Sequence, residues 1–368
     1  MNRVRWVWLV LFLVVLLRTA WLGDDALISL RTVLNVTHGY GLTFNAAERV
    51  QTFTHPLWLG LLTIAYGVAG NVFYATFAVA IATSMIVFAL VLRAARSASQ
   101  VWIAAGVLLT SRAFIDYSTS GLENPLTALV AIGTLAWAFR EPLGRWWLTG
   151  IWLGVSAAYL TRPDAVMLVL PVAVWAAMRH RPWRSTVMGV AVGLIPAIAW
   201  SLFALIYFGF PFPNTAYAKL ATSINASERI HQGFLYLLDS INRDPITLTA
   251  IGAAFVIATI ERSREAWLTA AGIALSLGYV VWIGGDFMSG RFLAAPVLMA
   301  VWLLVRAHHV AEADWRPVFV VLGVAALASP LLPIRSNSSF NAAEPLNGIV
   351  DERGVYFQGW SLLKADRL

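Results

Sequence analysis

Two adjacent carboxylates, Asp24-Asp25, follow an apolar run at the head of the chain. In a helix, neighbouring side chains point about 100° apart, so the pair cannot serve one reacting atom equally. One can act as a general base. The other can orient the helix, bind a neighbour or help hold a metal. The plainer alternative is a pair of acids capping the helix that follows.

Four other sites have chemical potential. Glu123, in Ser118-Thr-Ser-Gly-Leu-Glu-Asn-Pro125, and Asp164, in Thr161-Arg-Pro-Asp164, both precede apolar runs, where capping alone would explain them. Arg162 has nothing to snorkel past and could take a phosphate. Gly284-Gly-Asp286-Phe-Met-Ser-Gly290-Arg291 combines glycines, which let backbone approach a ligand closely, with an acid and a base five residues apart. Its plainer reading is a turn with a surface ion pair. Pro211-Phe-Pro-Asn214-Thr-Ala-Tyr217-Ala-Lys219 carries one of only two lysines, and Tyr217 and Lys219 could equally be membrane anchors. His55, before Pro56, reads more simply as the start of a helix than as a ligand. The six histidines show no metal spacing, and without cysteine there is no thiolate nucleophile, zinc-thiolate site or disulfide.

The elements that must position these residues follow from composition. Of 368 residues, 59% are hydrophobic and 12% charged, and the mean hydropathy is +0.72. Soluble domains run near a quarter charged, which excludes a soluble enzyme, a disordered chain or a secreted scaffold. The chain is expected to be an all-α polytopic membrane protein. Its net charge of +7 comes from arginines scattered between apolar runs, the pattern of bilayer orientation and not of nucleic-acid binding.

A span needs about 20 mostly apolar residues. The first is Val4 to Leu22, read as a retained helix. Leu57–Gly70 is short and reads as interfacial or re-entrant. Ten more are expected, near 72–92, 100–115, 124–139, 146–161, 165–178, 185–208, 246–260, 266–284, 292–306 and 317–333. This arrangement puts 13 arginines against five acids on the inner segments taken together, as the positive-inside rule requires. It predicts eleven spans, a cytoplasmic N-terminus and an outer C-terminus. The first outer loop is 23–71, and all the candidate residues fall on the outer face. Residues 1–334 are expected to form the membrane domain, and 335–368 an outer tail, too short for a domain itself but compatible with the first residues of a truncated one.

The ordered set of motifs is more specific than any one of them. A helix, then Asp-Asp opening a large outer loop with amphipathic juxtamembrane helices, then about ten spans, resembles the GT-C glycosyltransferases, which use polyprenyl-phosphate sugars. Asp24-Asp25-Ala-Leu-Ile-Ser-Leu-Arg31, Gly39-Tyr-Gly-Leu-Thr-Phe-Asn45, Glu48-Arg49-Val50 and Thr54-His-Pro-Leu-Trp58 look like a narrower family. So do Thr119-Ser-Gly-Leu-Glu123, Arg162-Pro-Asp164, Pro213-Asn-Thr-Ala-Tyr-Ala-Lys219, Gly284-Gly-Asp-Phe-Met288 and Val350-Asp-Glu-Arg353. That family holds the mycobacterial terminal β-(1→2)-arabinofuranosyltransferases and relatives described as flagellar motor control proteins.

The resemblance implies inverting transfer of a sugar, arabinofuranose in the arabinan enzyme, from a decaprenyl-phosphate donor to a cell-envelope glycan outside the plasma membrane. A lipid phosphate is a stable leaving group, so one carboxylate taking the acceptor proton suffices, unlike the pair a glycosidase needs. Asp24 is expected to be that base, with Asp25 as partner or metal contact. Arg162, Lys219 and Arg291 would hold the phosphate. Glu123, Asp164 and Asp286 would orient the sugar or the basic residues, and Glu48, Arg49 and His55 would shape the first-loop wall. Arg31, Asn214 and Tyr217 complete the expected donor- and acceptor-binding set. The expected partners are the lipid donor, the glycan acceptor and the bilayer, with no nucleic acid. No cofactor is required, though a divalent cation would be compatible. A lipid-linked-sugar flippase would instead place ionisable groups mid-span with inverted repeats, and a non-catalytic assembly protein would tolerate changes at Asp24 and Asp286.

Overall fold

A computed structural model gives the fold and describes residues 1–140, 144, 146–213, 217, 224–312, 323–324, 332–333 and 346–364, with side chains omitted at 311 and 312. Among these residues there is no named strand, only three isolated β-bridges. The rest is helix and connecting loop.

The helices, in chain order, are α1 Asn2–Thr19, α2 Asp24–Thr37, α3 Pro56–Ala69, α4 Val72–Ala94, α5 Ala98–Thr110, α6 Arg112–Asp116, α7 Asn124–Ala138 and α8 Trp147–Thr161. They continue with α9 Val166–Arg179, α10 Trp183–Phe208, α11 Ala226–Arg243, α12 Pro245–Glu261, α13 Arg264–Ile283, α14 Ala294–Arg306, α15 His308–Glu312 and α16 Glu352–Trp360. Helices coincide with each of the ten spans expected up to residue 306. The last expected span, 317–333, lies almost wholly outside the described residues. By length and composition alone, three helices among the described residues can cross a membrane, α4, α10 and α13, or four if the bent pair α11–α12 is one span.

Apolar surface in these helices is consumed in two ways. α14 is buried nearly all round, from Ala294 to Val305, and α4, α5, α7, α8, α9, α12 and α13 pack about it in one core. α10 instead leaves Ile195, Ile198, Leu202 and Ile206 exposed, as expected of a helix whose solvent is lipid.

Two elements differ from the sequence expectation. The span 100–115 breaks at Ser111, which ends α5 and caps α6 by accepting from the Phe114 N–H at 3.2 Å. The Asp244 carboxylate accepts from the Ala113 N–H at 2.9 Å, holding the break in place. The stretch 209–245, expected as an outer loop, contains the 18-residue α11. Its Gly233, Tyr236, Asp239 and Ser240 are buried, while Ile230, Phe234, Leu238 and Ile241 form an exposed apolar stripe. That pattern belongs to a helix lying in the membrane interface. α11 turns into α12 with a bend of 109°.

The tail does not stand apart. Val350 donates to Phe287 O at 2.7 Å and accepts from the Ser289 N–H at 2.9 Å, a parallel bridge to the Gly284–Arg291 turn. At the other end of α16, Trp360 O accepts from the Leu22 N–H at 3.0 Å. The tail therefore spans the mouth between the first helix pair and the Gly284 turn.

Candidate active site

Four chain segments converge at one end of the bundle: the start of α2, the loop before α7, the loop after α8 and the Gly284–Arg291 turn. α2 begins where Gly23 donates to Ser120 O at 3.0 Å, which ties the two carboxylates of Asp24-Asp25 to the Ser118–Glu123 loop. That loop approaches α2 so closely that a Cβ on Gly121 would lie 2.7 Å from both Ala26 and Leu22. Gly121 also sits at φ +81°, where a side chain is strained. The buried Trp58 of α3 donates its indole N–H to Gly121 O at 2.9 Å and locks the loop from the other side.

Glu123 is the centre. It is fully buried, 3.3 Å from Arg291, 3.5 Å from Arg162 and 3.3 Å from His55 Nδ1. Burial alone would raise its pKa, but Arg291, His55 and Arg162 together outweigh that and pull it down to about 2. His55 is buried too. Desolvation lowers its pKa against the pull of Glu123, and its Nε2 is 2.8 Å from the Ser29 hydroxyl of α2.

The two arginines divide the work. Arg162 holds Asp164 by two hydrogen bonds of 3.1 and 2.8 Å and lies 4.6 Å over the Phe292 ring. Arg291 Nη1 reaches Asp25 at 3.3 Å and Asp286 at 3.5 Å. Its Nε is buried with no hydrogen-bond partner among the described residues. Gly285, at φ +74°, gives the turn its close approach to Tyr236 of α11, 2.6 Å from where a Cβ would be. The Tyr236 hydroxyl pins the turn at both ends, donating to Met288 O and accepting from the Phe292 N–H, each at 3.1 Å.

The paired carboxylates have separate partners, as their angular offset requires. Asp25 faces Arg291, while Asp24 accepts from the Tyr356 hydroxyl of α16 at 3.0 Å. Burial is the main cause that raises the Asp25 pKa, with Asp24, Asp286 and Glu123 adding to it and Arg291 opposing.

The tail adds a residue that the motif reading passed over. Asp351 pairs with Arg112 and Arg353 with Asp116, both at 2.7 Å and buried. Between these clamps Glu352 is 5% exposed, with Oε2 unpartnered among the described residues. Burial, then Asp24, Asp25 and Asp286, raise its pKa to about 7. The run of three consecutive charges in Val350-Asp-Glu-Arg353 is a usable signal, because charged residues in a buried stretch must find partners.

Asp24, Asp25, His55, Glu123, Arg162, Asp164, Asp286 and Arg291 thus come together. Arg31 does not. It is exposed, with its guanidinium 4.4 Å over Phe44. Glu48 is exposed and contacts Asn45, Arg49 lies 5.0 Å over the Tyr207 ring, and Tyr217 is exposed beside Phe210. Asn214 and Lys219 lie outside the described residues. No three His, Asp or Glu side chains among the described residues stand close enough to hold a metal ion. The acids converge on Arg291 instead, so they do not fit a divalent cation and no step is derived through one.

No family model matches the chain. It is 29% identical, over an alignment 399 positions long, to the terminal beta-(1->2)-arabinofuranosyltransferase of Mycobacterium tuberculosis, covering 92% of this chain and 62% of that protein. It is also 29% identical to the protein of the same name from Corynebacterium glutamicum, over 80% of this chain and 49% of that one. The chain therefore spans between about half and three fifths of these relatives. Among solved structures, ArnT from Cupriavidus metallidurans bound to undecaprenyl phosphate matches with a TM-score of 0.60 at 16% identity, over 93% of this chain and 66% of that one. Its apo form matches with a TM-score of 0.58 at 18% identity, over 86% and 60%. The protein shares the fold of ArnT, a helical bundle with several helices apolar enough to lie in a membrane.

Proposed function

We propose that the protein is an inverting glycosyltransferase that moves a sugar, arabinofuranose, from a polyprenyl-phosphate donor to a cell-envelope glycan at the outer face of the plasma membrane. The observation that carries this reading is the asymmetry of Asp24 and Asp25. Asp25 is committed to Arg291, whereas Asp24 accepts from one hydroxyl and faces no guanidinium among the described residues. A carboxylate without a cation on it can take a proton from an attacking hydroxyl.

In this reading the acceptor oxygen attacks the anomeric carbon and its proton passes to Asp24. The bond from that carbon to the phosphate oxygen breaks, and the electron pair leaves with the lipid phosphate. Charge builds on the departing phosphate, and fixed cations are the groups that meet it at no reorganisation cost. Arg291 presents its unpartnered Nε, and Arg162 is held in place by Asp164 and Phe292. Glu123 keeps the two guanidiniums charged and fixed. Lys219 is proposed as a third cation. The tail would supply Tyr356 to position Asp24, and the names of the relatives support the choice of sugar.

Radiolabel transfer from decaprenyl-phosphoryl arabinose to a short arabinan acceptor tests the reading, with purified wild type and Asp24→Asn side by side. Transfer that disappears in the variant supports both the activity and the base. Equal transfer in both would remove Asp24 from that role, and no transfer by wild type would overturn the reading.

A further inference from the structure

A cavity of about 330 Å³ lies between α11, the Gly284 turn and the tail. Its walls are Glu228, Arg229 and Gln232 of α11, the backbone of Gly284–Phe287, and Gly348 of the tail. We propose that this cavity is the acceptor subsite, binding the neutral sugar unit next to the hydroxyl that is glycosylated; the assignment rests on the glycosyltransferase reading above.

The lining chemistry points to a polyhydroxylated, uncharged ligand. One carboxylate, Glu228, one guanidinium, Arg229, and one amide, Gln232, converge there with three glycines and the apolar Ile224 and Ile283. A phosphate would meet one guanidinium already balanced by one carboxylate there. A lipid chain would find a better match in the apolar groove between α7 and α8, lined by Val130, Trp137, Leu153 and Ala157. The Phe287 ring at the rim is 44% exposed although its own backbone is tied into the bridge with Val350. A fixed, half-exposed aromatic ring beside convergent polar groups suits the apolar face of a sugar ring. Gln232 is held by donating to Asn347 O at 2.8 Å, which leaves its carbonyl oxygen to accept from a hydroxyl.

Continuity with the reacting centre comes from Asp286. Its residue lines the cavity, while its carboxylate lies 3.5 Å from the same Arg291 nitrogen that meets Asp25 at 3.3 Å. A sugar seated in the cavity is therefore separated from the Arg291–Asp25 pair by one residue, Asp286. The tail contributes Gly348 at φ +74°, where a Cβ would find nothing within 4 Å. An asparagine tolerates that backbone, and at a lining position its side chain would take up cavity space.

Binding is measured on the full chain in detergent, without donor, by saturation-transfer NMR. The probes are octyl glycosides of arabinose, mannose and galactose disaccharides. Wild type and Asp24→Asn are expected to bind one of them saturably, and Phe287→Ala and Gly348→Asn to bind it about tenfold more weakly at an unchanged melting temperature. Gln232→Ala supplies a third variant should either of these fail to fold. Saturable binding by none of the probes, or equal affinity in wild type and variants, overturns the assignment. Because no donor is present, a failure of the transferase reading shows itself separately, as bound acceptor that is never glycosylated.

Discussion

The hydroxyl of Tyr356 donates to the carboxylate of Asp24 across 3.0 Å, joining the last described helix to the first turn of the second. Glu352 precedes Tyr356 by one helical turn, so the two share the face of α16 that looks at α2. Removing the hydroxyl with Tyr356→Phe leaves the ring packing intact and deletes one bond to Asp24. The expected result is transfer reduced about tenfold with melting unchanged, because one net hydrogen bond is worth about 1 kcal/mol or somewhat more when the acceptor is charged. Rate and melting temperature measured together check this; loss of both would assign the tyrosine a purely structural role.

Glu123 sits between two buried guanidiniums. Glu123→Gln keeps the shape and removes the counter-charge. Breaking a buried pair by deleting one partner costs about 3–5 kcal/mol, and the variant is expected to melt earlier by a margin that denaturant titration resolves. A variant as stable as wild type would show that Asp25, Asp164 and Asp286 suffice to balance both arginines.

The two glutamates give opposite pH dependences. Glu352 ionises near 4.5 when unfolded and near 7 in the fold. Between those values the folded chain binds the extra proton, so stability falls as pH rises through that window. Glu123 is held at about 2 against 4.5 unfolded. There the unfolded chain binds the extra proton, so its contribution is present above about 4.5 and lost as pH falls toward 2. Unfolding midpoints recorded from pH 2 to 8 check both signs. Glu352→Gln should flatten the limb from 4.5 to 7 and leave the acid limb in place.

Gly121→Ala tests the close approach of the Ser118–Glu123 loop to α2. The added methyl would meet Ala26 and Leu22 at 2.7 Å in a backbone conformation that disfavours side chains. Overpacking of this kind costs about 1–3 kcal/mol. Because the loop carries Glu123 and the contacted helix carries Asp24, transfer is expected to fall further than the melting temperature alone accounts for. A variant with wild-type kinetics would mean that the loop yields without moving either acid.

The sequence by itself determined the class of solvent and most helix positions. Apolar runs long enough to span, with arginine between them, leave few alternatives to a membrane bundle, and each expected span through residue 306 coincides with helix. It also marked eight acidic, basic and histidine residues that meet in space, because ionisable groups at the ends of apolar helices are costly without a partner. The tertiary structure alone decided who those partners are. Nothing in the spacing says that Asp25 takes Arg291 and Asp24 takes Tyr356, since these pairs are 266 and 332 residues apart. Arg31 and Glu48-Arg49 share the same first loop as His55, yet they stay at the surface on local partners. In the sequence the tail, 335–368, is set off only by following the last expected span. In the fold, the buried pairs Arg112–Asp351 and Asp116–Arg353 draw it across the mouth of the site. A pair of that kind is set by three-dimensional proximity, which local propensity and hydrophobic period do not encode.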